Sequence, residues 1–438
     1  MPNRAIDEAV ENTKIIDTHE HFSDPADIIK EGANLFSILP RGYVGFFDFY
    51  PGLRSDLLQF AKYPELRDKT IAKLVQFIDS YREYEFVDVL DAGIRHLHGG
   101  SIKQMTKKAF QELNHAIEKA YGKQTYRDNV LKCLHVERVI CDVPHHSGGL
   151  GTGMAASFDP GMYKPALRVN SLLFGFDPGA WSPGTCLMRI AADELKIIPA
   201  LPTTFGDFID CVDAIIDWSR GRVASYKCAS AYERTIDFGR ARDAAPGSKK
   251  WETAKNAFGK PFRETTGPER LAFGDVVMHR VLGRIEGTGT PMQIHTGTAI
   301  MPGSNPKNIE PLIGAYPALD ITLLHCGFPW IDEAIDIVKR HANAHAEMAW
   351  LQMLSHEAAI RFLTIAIAEG LDRKVIAFGG DCACIEGSTG ALLVLKQVVK
   401  ETLARCMDRG LVRPEDAGAL VDRLFYQNPR DLFFKKNG

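Results

Sequence analysis

The sequence predicts an α/β protein of the (β/α)8 TIM-barrel class, and three observations carry that prediction. From Val136 onward, short apolar runs alternate with stretches of helical period, the pattern of parallel strands joined by helices. Several of those runs give way to glycine beside a chemically capable side chain: His295-Thr-Gly, His325-Cys-Gly and Gly379-Gly380-Asp381. The length, 438 residues, accommodates one such barrel carrying a sizeable insertion.

The first strand is expected in Ile15-Ile16-Asp17-Thr18-His19-Glu20-His21-Phe22, where β-favouring residues lead into two histidines. Positions two apart on a strand share a face, so His19 and His21 project together. The character then changes. Ile71, Leu74, Val75 and Ile78 recur at helical spacing, as do Phe110, Leu113, Ile117 and Ala120, and Arg54 to Tyr63 reads as a further helix. With no strong strand before Val136, residues 24–134 read as a helical insertion within a single domain spanning 1–438. The aromatic run Tyr43 to Tyr50 offers either a wall of a substrate pocket or packing between the insertion and the main domain.

Strand two is expected over Val136 to Val143, ending at Pro144-His145-His146 before a glycine-rich loop, Gly148 to Gly153. That loop lacks the full dinucleotide spacing and its acidic ribose partner, which excludes a nucleotide fingerprint. The third strand is expected at Leu167 to Phe174, the fourth at Arg222 to Lys227, the fifth at Pro291 to His295 and the sixth at Ile321 to His325. Ala344 to Ala349 and Val375 to Phe378 complete the set. Helices are expected at Phe208 to Trp218, Val276 to Ile285 and Trp330 to Arg340, and the polar stretch Arg240 to Glu269 is expected as an active-site loop or a surface insertion. Ser388-Thr389 would cap a helix carrying Leu392, Leu395, Val399, Leu403 and Met407, and a last helix would run from Pro414 to about Pro429.

Charge narrows the class of function. Lysine and arginine number 52 against 55 acidic residues, a formal charge of −3 that offers no footprint for nucleic acid or an anionic membrane. No apolar run is long enough to span a bilayer, and Met1 to Asn12 lacks the apolar centre of a secretory signal, so a cytoplasmic location is expected. Nine scattered cysteines read as reduced thiols, with Cys382 and Cys384 as packing residues. The partner expected is a small-molecule substrate; a homo-oligomer is compatible with the composition.

Five expected strand ends deliver His19 with His21, Lys227, His295, His325 and Asp381 toward one barrel mouth, where the chemistry of this fold class is found. Singly, each has a structural alternative: a strand-end histidine is commonly a satisfied polar group, Asp381 after two glycines suits a turn, and Lys227 suits a surface cation. Jointly, four imidazoles and a carboxylate in this order point to a divalent metal, with zinc the first expectation. His96 and His98, which precede Gly99-Gly100, read as surface or loop residues. Trp330 and Trp350, just beyond strands six and seven, are candidates to line a substrate pocket.

Asp17-Thr-His-Glu-His-Phe, Lys227, the single histidines 295 and 325, and Asp381 resemble the ordered motif of the amidohydrolase superfamily. The closing Asn428-Pro-Arg-Asp-Leu-Phe is similar to that superfamily's final helix, the insertion resembles that of uronate isomerases and of amidohydrolase domains fused to glutamine-synthetase-like enzymes, and the chain as a whole resembles the amidohydrolase-2 or uronate-isomerase-like branch. The resemblance implies a distorted barrel and an enzyme with one or two metal ions. His19, His21 and Asp381 would hold one ion. Asp381 would also move a proton. His325 would polarise a scissile carbonyl or bind a second ion, and His295 would do either. Lys227 would bridge two ions if carboxylated, or grip a substrate carboxylate as an amine. Tyr226 to Arg234 is weakly similar to a lysine-to-arginine segment of the amidohydrolase domains fused to glutamine-synthetase-like enzymes, which makes Arg234, with Tyr232, a candidate substrate contact. A salt bridge is the alternative for Arg234. The activity implied is hydrolysis of a C–N or C–O bond (amide, lactone or ester). The alternatives are a uronate-isomerase-like or decarboxylating enzyme on the same metal, and a metal-retaining barrel without catalysis.

Overall fold

A computed structural model gives the tertiary structure and describes residues 2–23, 28, 32–43, 52–60, 63, 67–104, 106–142, 158–184 and 186–435. Eight strands alternate with helices: β1 (Ile15–Glu20), β2 (Val136–Asp142), β3 (Tyr163–Arg168), β4 (Ser225–Cys228), β5 (Met292–His295), β6 (Ile321–Leu324), β7 (Ala344–Glu347) and β8 (Val375–Ile376). They hydrogen-bond in sequence order, β1 to β8, and the pairings from β3 through β8 are parallel. The fold is a distorted (β/α)8 barrel with a large helical insertion after β1. Every residue of β4, β5, β6 and β8 is buried, as expected where helices cover a parallel sheet. No helix among the described residues is long and apolar enough to cross a membrane.

The chain divides into two compact units. The first comprises Met1–Val139, Met348–Gly370 and Ala377–Tyr426. Its helical part lies between β1 and β2 and includes Leu35–Arg41, Arg67–Tyr81, Glu85–His98, Lys107–Tyr121 and Tyr126–Cys133. The helical period foreseen here is the period of the core: Leu74, Ile78, Phe110, Leu113 and Ile117 are buried in one cluster with Leu35, Phe36, Phe77 and Leu90. A 24-residue helix, Ile385–Asp408, follows β8 and buries Leu392, Leu395, Val399 and Leu403.

The second unit comprises Ile140–Glu347, Leu371–Ile376 and Gln427–Gly438. A polar layer crosses four of its strands. Ser225 Oγ donates to Gln293 Oε1 at 2.7 Å, Gln293 Nε2 donates to Glu347 Oε1 at 3.0 Å, and Thr322 Oγ1 donates to Glu347 Oε2 at 2.9 Å. All four residues are fully buried. A buried carboxylate is tolerable only with such donors, so this layer holds neighbouring strands in register.

Several expected elements differ from those observed. The third strand lies at Tyr163–Arg168, and Asn170–Leu173 is a turn of helix. Periodicity cannot separate a short strand from a short buried helix, and Leu172 and Leu173 are buried in either form. The polar stretch 240–269 is not all loop: Ser248 caps the helix Lys249–Ala257, and a Thr266/Glu269 capping box starts Gly267–Ile285. Ser388 and Thr389 do not cap their helix; it begins at Ile385 with no side-chain cap, and both lie buried inside it. The final helix continues from Asn428 to Phe433. His145, His146 and Gly148 to Gly153 fall outside the described residues.

Candidate metal centre

In the first unit, β1 carries the stretch on which the site is built. Ile15 and Ile16 anchor it in the core, while Asp17, Thr18, His19 and Glu20 are also buried. The segment that follows β8 runs beside it. Thr18 N and Oγ1 donate to Phe378 O at 3.2 and 2.9 Å, Asp381 N donates to His19 O at 2.7 Å, and His21 N donates to Cys382 O at 3.0 Å. Asp17 Oδ1 accepts from His19 N and Gly380 N, each at 3.2 Å.

Two glycines make this approach feasible. A Cβ at Gly379 would stand 2.8 Å from Ala349 Cβ and 3.1 Å from His19 Cβ, and one at Gly380 would stand 1.8 Å from Glu20 Oε1. Glu20 fills the space so left: its Oε2 accepts from Cys382 N at 2.8 Å. Complete burial, with Asp17 beside it, pushes the Glu20 carboxyl well above the usual range.

This ladder brings Asp381 to the histidine pair. His21 Nε2 lies 2.9 Å and His19 Nε2 3.7 Å from Asp381 Oδ1, and the imidazole rings stand nearly perpendicular with centroids 5.0 Å apart. One ligand atom from each residue falls within 4.8 Å of the other two. Two imidazoles and a carboxylate at that spacing fit a divalent cation, whose N and O ligands sit about 2.0–2.2 Å from the ion. Asp381 adopts φ 50°, a conformation that L-residues hold only when their surroundings enforce it.

Tyr43 was not foreseen at this centre. Its hydroxyl donates to the Asp381 carbonyl oxygen and lies 3.4 Å from Asp381 Oδ1. Its ring packs on Trp350, centroid to centroid 5.1 Å, and Trp350 in turn lies 5.6 Å from Phe86. Trp350 is therefore buried within an aromatic cluster of this unit. The signal for Tyr43 was its place at the head of an aromatic run, of which residues 44–50 lie outside the described residues. His98 corrects the surface reading: its side chain is 2% exposed, at the end of the helix Glu85–His98, and bonded to Glu386. Helical periodicity around His98 carried no trace of a partner 288 positions away.

The second unit holds the remaining candidates. Lys227 is buried in β4, in register with Gln293 of β5. His295 ends β5, and His325 follows β6 at φ 65°. His295 Nδ1 and His325 Nε2 are 2.9 Å apart, and His295 Nε2 lies 3.1 Å from Gly297 O. A carbonyl can only accept, so in the neutral pair His295 Nε2 carries a proton and His325 Nε2 donates to His295 Nδ1. The Tyr232 ring lies against His295 at 4.6 Å. Arg234 takes the salt-bridge alternative, in buried form. It pairs with Asp275 at 2.5 Å and donates to the carbonyls of Thr235, Leu271 and Asp237. Its guanidinium is thereby committed within the fold.

Residues 258–435 match the amidohydrolase family model. No curated protein matches the sequence. Among solved structures, glucuronate isomerase from Caulobacter crescentus has TM-score 0.72 at 14% identity, covering 99% of this chain and 93% of its own. Uronate isomerase from Thermotoga maritima has TM-score 0.70 at 14% identity, covering 99% and 98%. A protein from Lactobacillus casei assigned as a metal-dependent hydrolase has TM-score 0.63 at 14% identity, covering 97% and 96%. The family match over 258–435 and the fold shared along nearly the whole chain together bear out the resemblance to the amidohydrolase superfamily.

Proposed function

We propose that this protein is a metal-dependent hydrolase that cleaves a C–N or C–O bond of a small molecule, an amide, lactone or ester. The observation that carries the reading is the convergence of His19, His21 and Asp381, with one ligand atom of each within 4.8 Å of the others. A divalent cation, zinc in the first instance, supplies Lewis acidity that makes water nucleophilic near neutral pH. The chain's own groups do the rest. His19 and His21 present neutral nitrogens. The Asp381 carboxylate accepts a proton at Oδ and returns it to the leaving group. Tyr43, whose hydroxyl donates to the Asp381 carbonyl oxygen, holds the backbone at Asp381 in place.

In the second unit, the hydrogen-bonded pair His295 and His325 is retained as a candidate ligand set for a second ion. For Lys227, carboxylation of the amine and a charged amine for a substrate carboxylate are both retained. Asp381→Asn tests the reading: metal content measured by atomic absorption should stay at half or more of wild type, while amide, lactone or ester turnover falls by about 10²-fold or more. Undiminished turnover removes Asp381 from the mechanism.

A second reading is aldose–ketose isomerisation of a uronate, favoured by the fold shared with two uronate isomerases at TM-scores of 0.72 and 0.70. Incubating the metal-loaded protein with glucuronate and galacturonate separates the two. Ketose formation without hydrolysis of any ester, lactone or amide would replace the hydrolase assignment.

A further inference from the structure

Glu386 stands five residues beyond Asp381, in the first turn of the helix Ile385–Asp408, and is fully buried. Three helices of the insertion deliver a polar group to its carboxylate. His98 Nε2 lies 2.9 Å from Oε1, Tyr121 OH donates to Oε2 at 2.8 Å, and Tyr126 OH lies 3.3 Å from Oε1. Tyr126 OH also lies 3.3 Å from His98 Nε2, so the donors are linked to one another. Burial pushes both phenols up, and the Glu386 carboxylate beside them adds to it. Apolar side chains could glue two helices without desolvating a carboxylate. What a buried carboxylate with three directional partners adds is a defined position.

A separate feature of the backbone agrees. A Cβ at Gly93 would stand 1.8 Å from Glu386 O, and one at Gly390 would stand 1.8 Å from Val89 O. The helices Glu85–His98 and Ile385–Asp408 thus meet backbone to backbone, and neither can slide past the other without collision. Asp381 to Cys384 is the short link between two anchors. One end is tied to β1 through Asp381 N to His19 O, His21 N to Cys382 O and Cys382 N to Glu20 Oε2. The other is the helix turn that the insertion clamps at Glu386. A link held at both ends is what keeps Asp381 at φ 50° with its carboxylate beside His19 and His21.

We propose that Glu386 is a positioning residue for the metal centre: with His98, Tyr121 and Tyr126 it lets the helical insertion set where Asp381 stands. The proposal rests on the reading of Asp381 as a metal ligand. Its test is zinc affinity of the full-length protein, measured by competition with a chromophoric chelator, alongside the thermal midpoint of the metal-free form. Glu386→Gln should weaken zinc roughly 10- to 100-fold, the range for partners that orient a ligand, and Tyr121→Phe should weaken it severalfold. Leu403→Ala, buried on the same helix away from its first turn, should lower the midpoint and leave zinc affinity as in wild type.

Wild-type affinity in a folded Glu386→Gln overturns the proposal, as does an equal loss in Leu403→Ala. Should Glu386→Gln fail to fold, Tyr121→Phe decides by the same criterion. His19→Ala separates the two readings: if it binds zinc as wild type does, the triad itself is refuted and the positioning role goes with it.

Discussion

Replacing Gly380 with alanine puts a methyl group where β1 and the segment after β8 touch. The new Cβ would stand 1.8 Å from Glu20 Oε1 and 2.8 Å from Ser388 Oγ. Glu20 is fully buried, so its carboxyl has no solvent to retreat into, and moving it breaks its bond to Cys382 N. Overpacking of this kind costs about 1–3 kcal/mol. A buried N–H left without its acceptor adds about 1–3 kcal/mol. A total near 4 kcal/mol, set against an unfolding entropy of about 2.1 cal/mol/K per residue, lowers the midpoint of this chain by about 4 °C. Because Asp381 is the next residue, zinc affinity should fall as well, by roughly tenfold. The assay is thermal unfolding of the metal-free protein followed by chelator competition. Gly418→Ala is the control: nothing lies within 4 Å of its Cβ, and it sits inside the helix Ala417–Asp422, where alanine should stabilise by about 0.5–1 kcal/mol. A Gly380→Ala protein with the wild-type midpoint and affinity would refute the close approach on which the centre is built.

Two further outcomes are expected in the second unit. Asp275→Ala leaves the buried Arg234 guanidinium without its carboxylate and should cost about 3 kcal/mol in urea unfolding; an unchanged urea midpoint with weakened substrate binding would return Arg234 to a ligand role. Glu310 is held down to about 2, first by Arg340 and then by His341 and Lys307, against the opposing effect of burial. Its folded value lies below the usual carboxylate value of about 4.3, so the folded state binds fewer protons. The stabilisation is therefore present above about pH 4 and lost as pH falls through about 2. The midpoint gap between wild type and Glu310→Gln should be widest at neutral pH and narrow on acidification, and a gap independent of pH would sink this account.

Elements whose signal is local were legible. The periods of Leu74–Ile78 and Phe110–Ile117 mark buried helix faces, and each expected strand except the third lies within a few residues of an observed one. The third was misplaced because Leu172 and Leu173 are apolar enough for either conformation. The start of the helix after β8 was misplaced for a different reason. Ser388-Thr389 has cap chemistry, yet the helix already begins at Ile385, and both residues are buried inside it.

The sequence by itself determined the alternation of strand and helix, the helical nature of the segment after β1, and the residue types His19, His21 and Asp381, because period and ligand chemistry are written in neighbouring letters. Only the tertiary structure decided that Tyr43 reaches Asp381 across 338 positions and that His98 meets Glu386 across 288. It also decided that His295 and His325 bond to each other and that Arg234 is committed to Asp275. Those pairings follow from which backbone surfaces come into contact, and glycines such as Gly93, Gly380 and Gly390 show their role only once the facing atom is known.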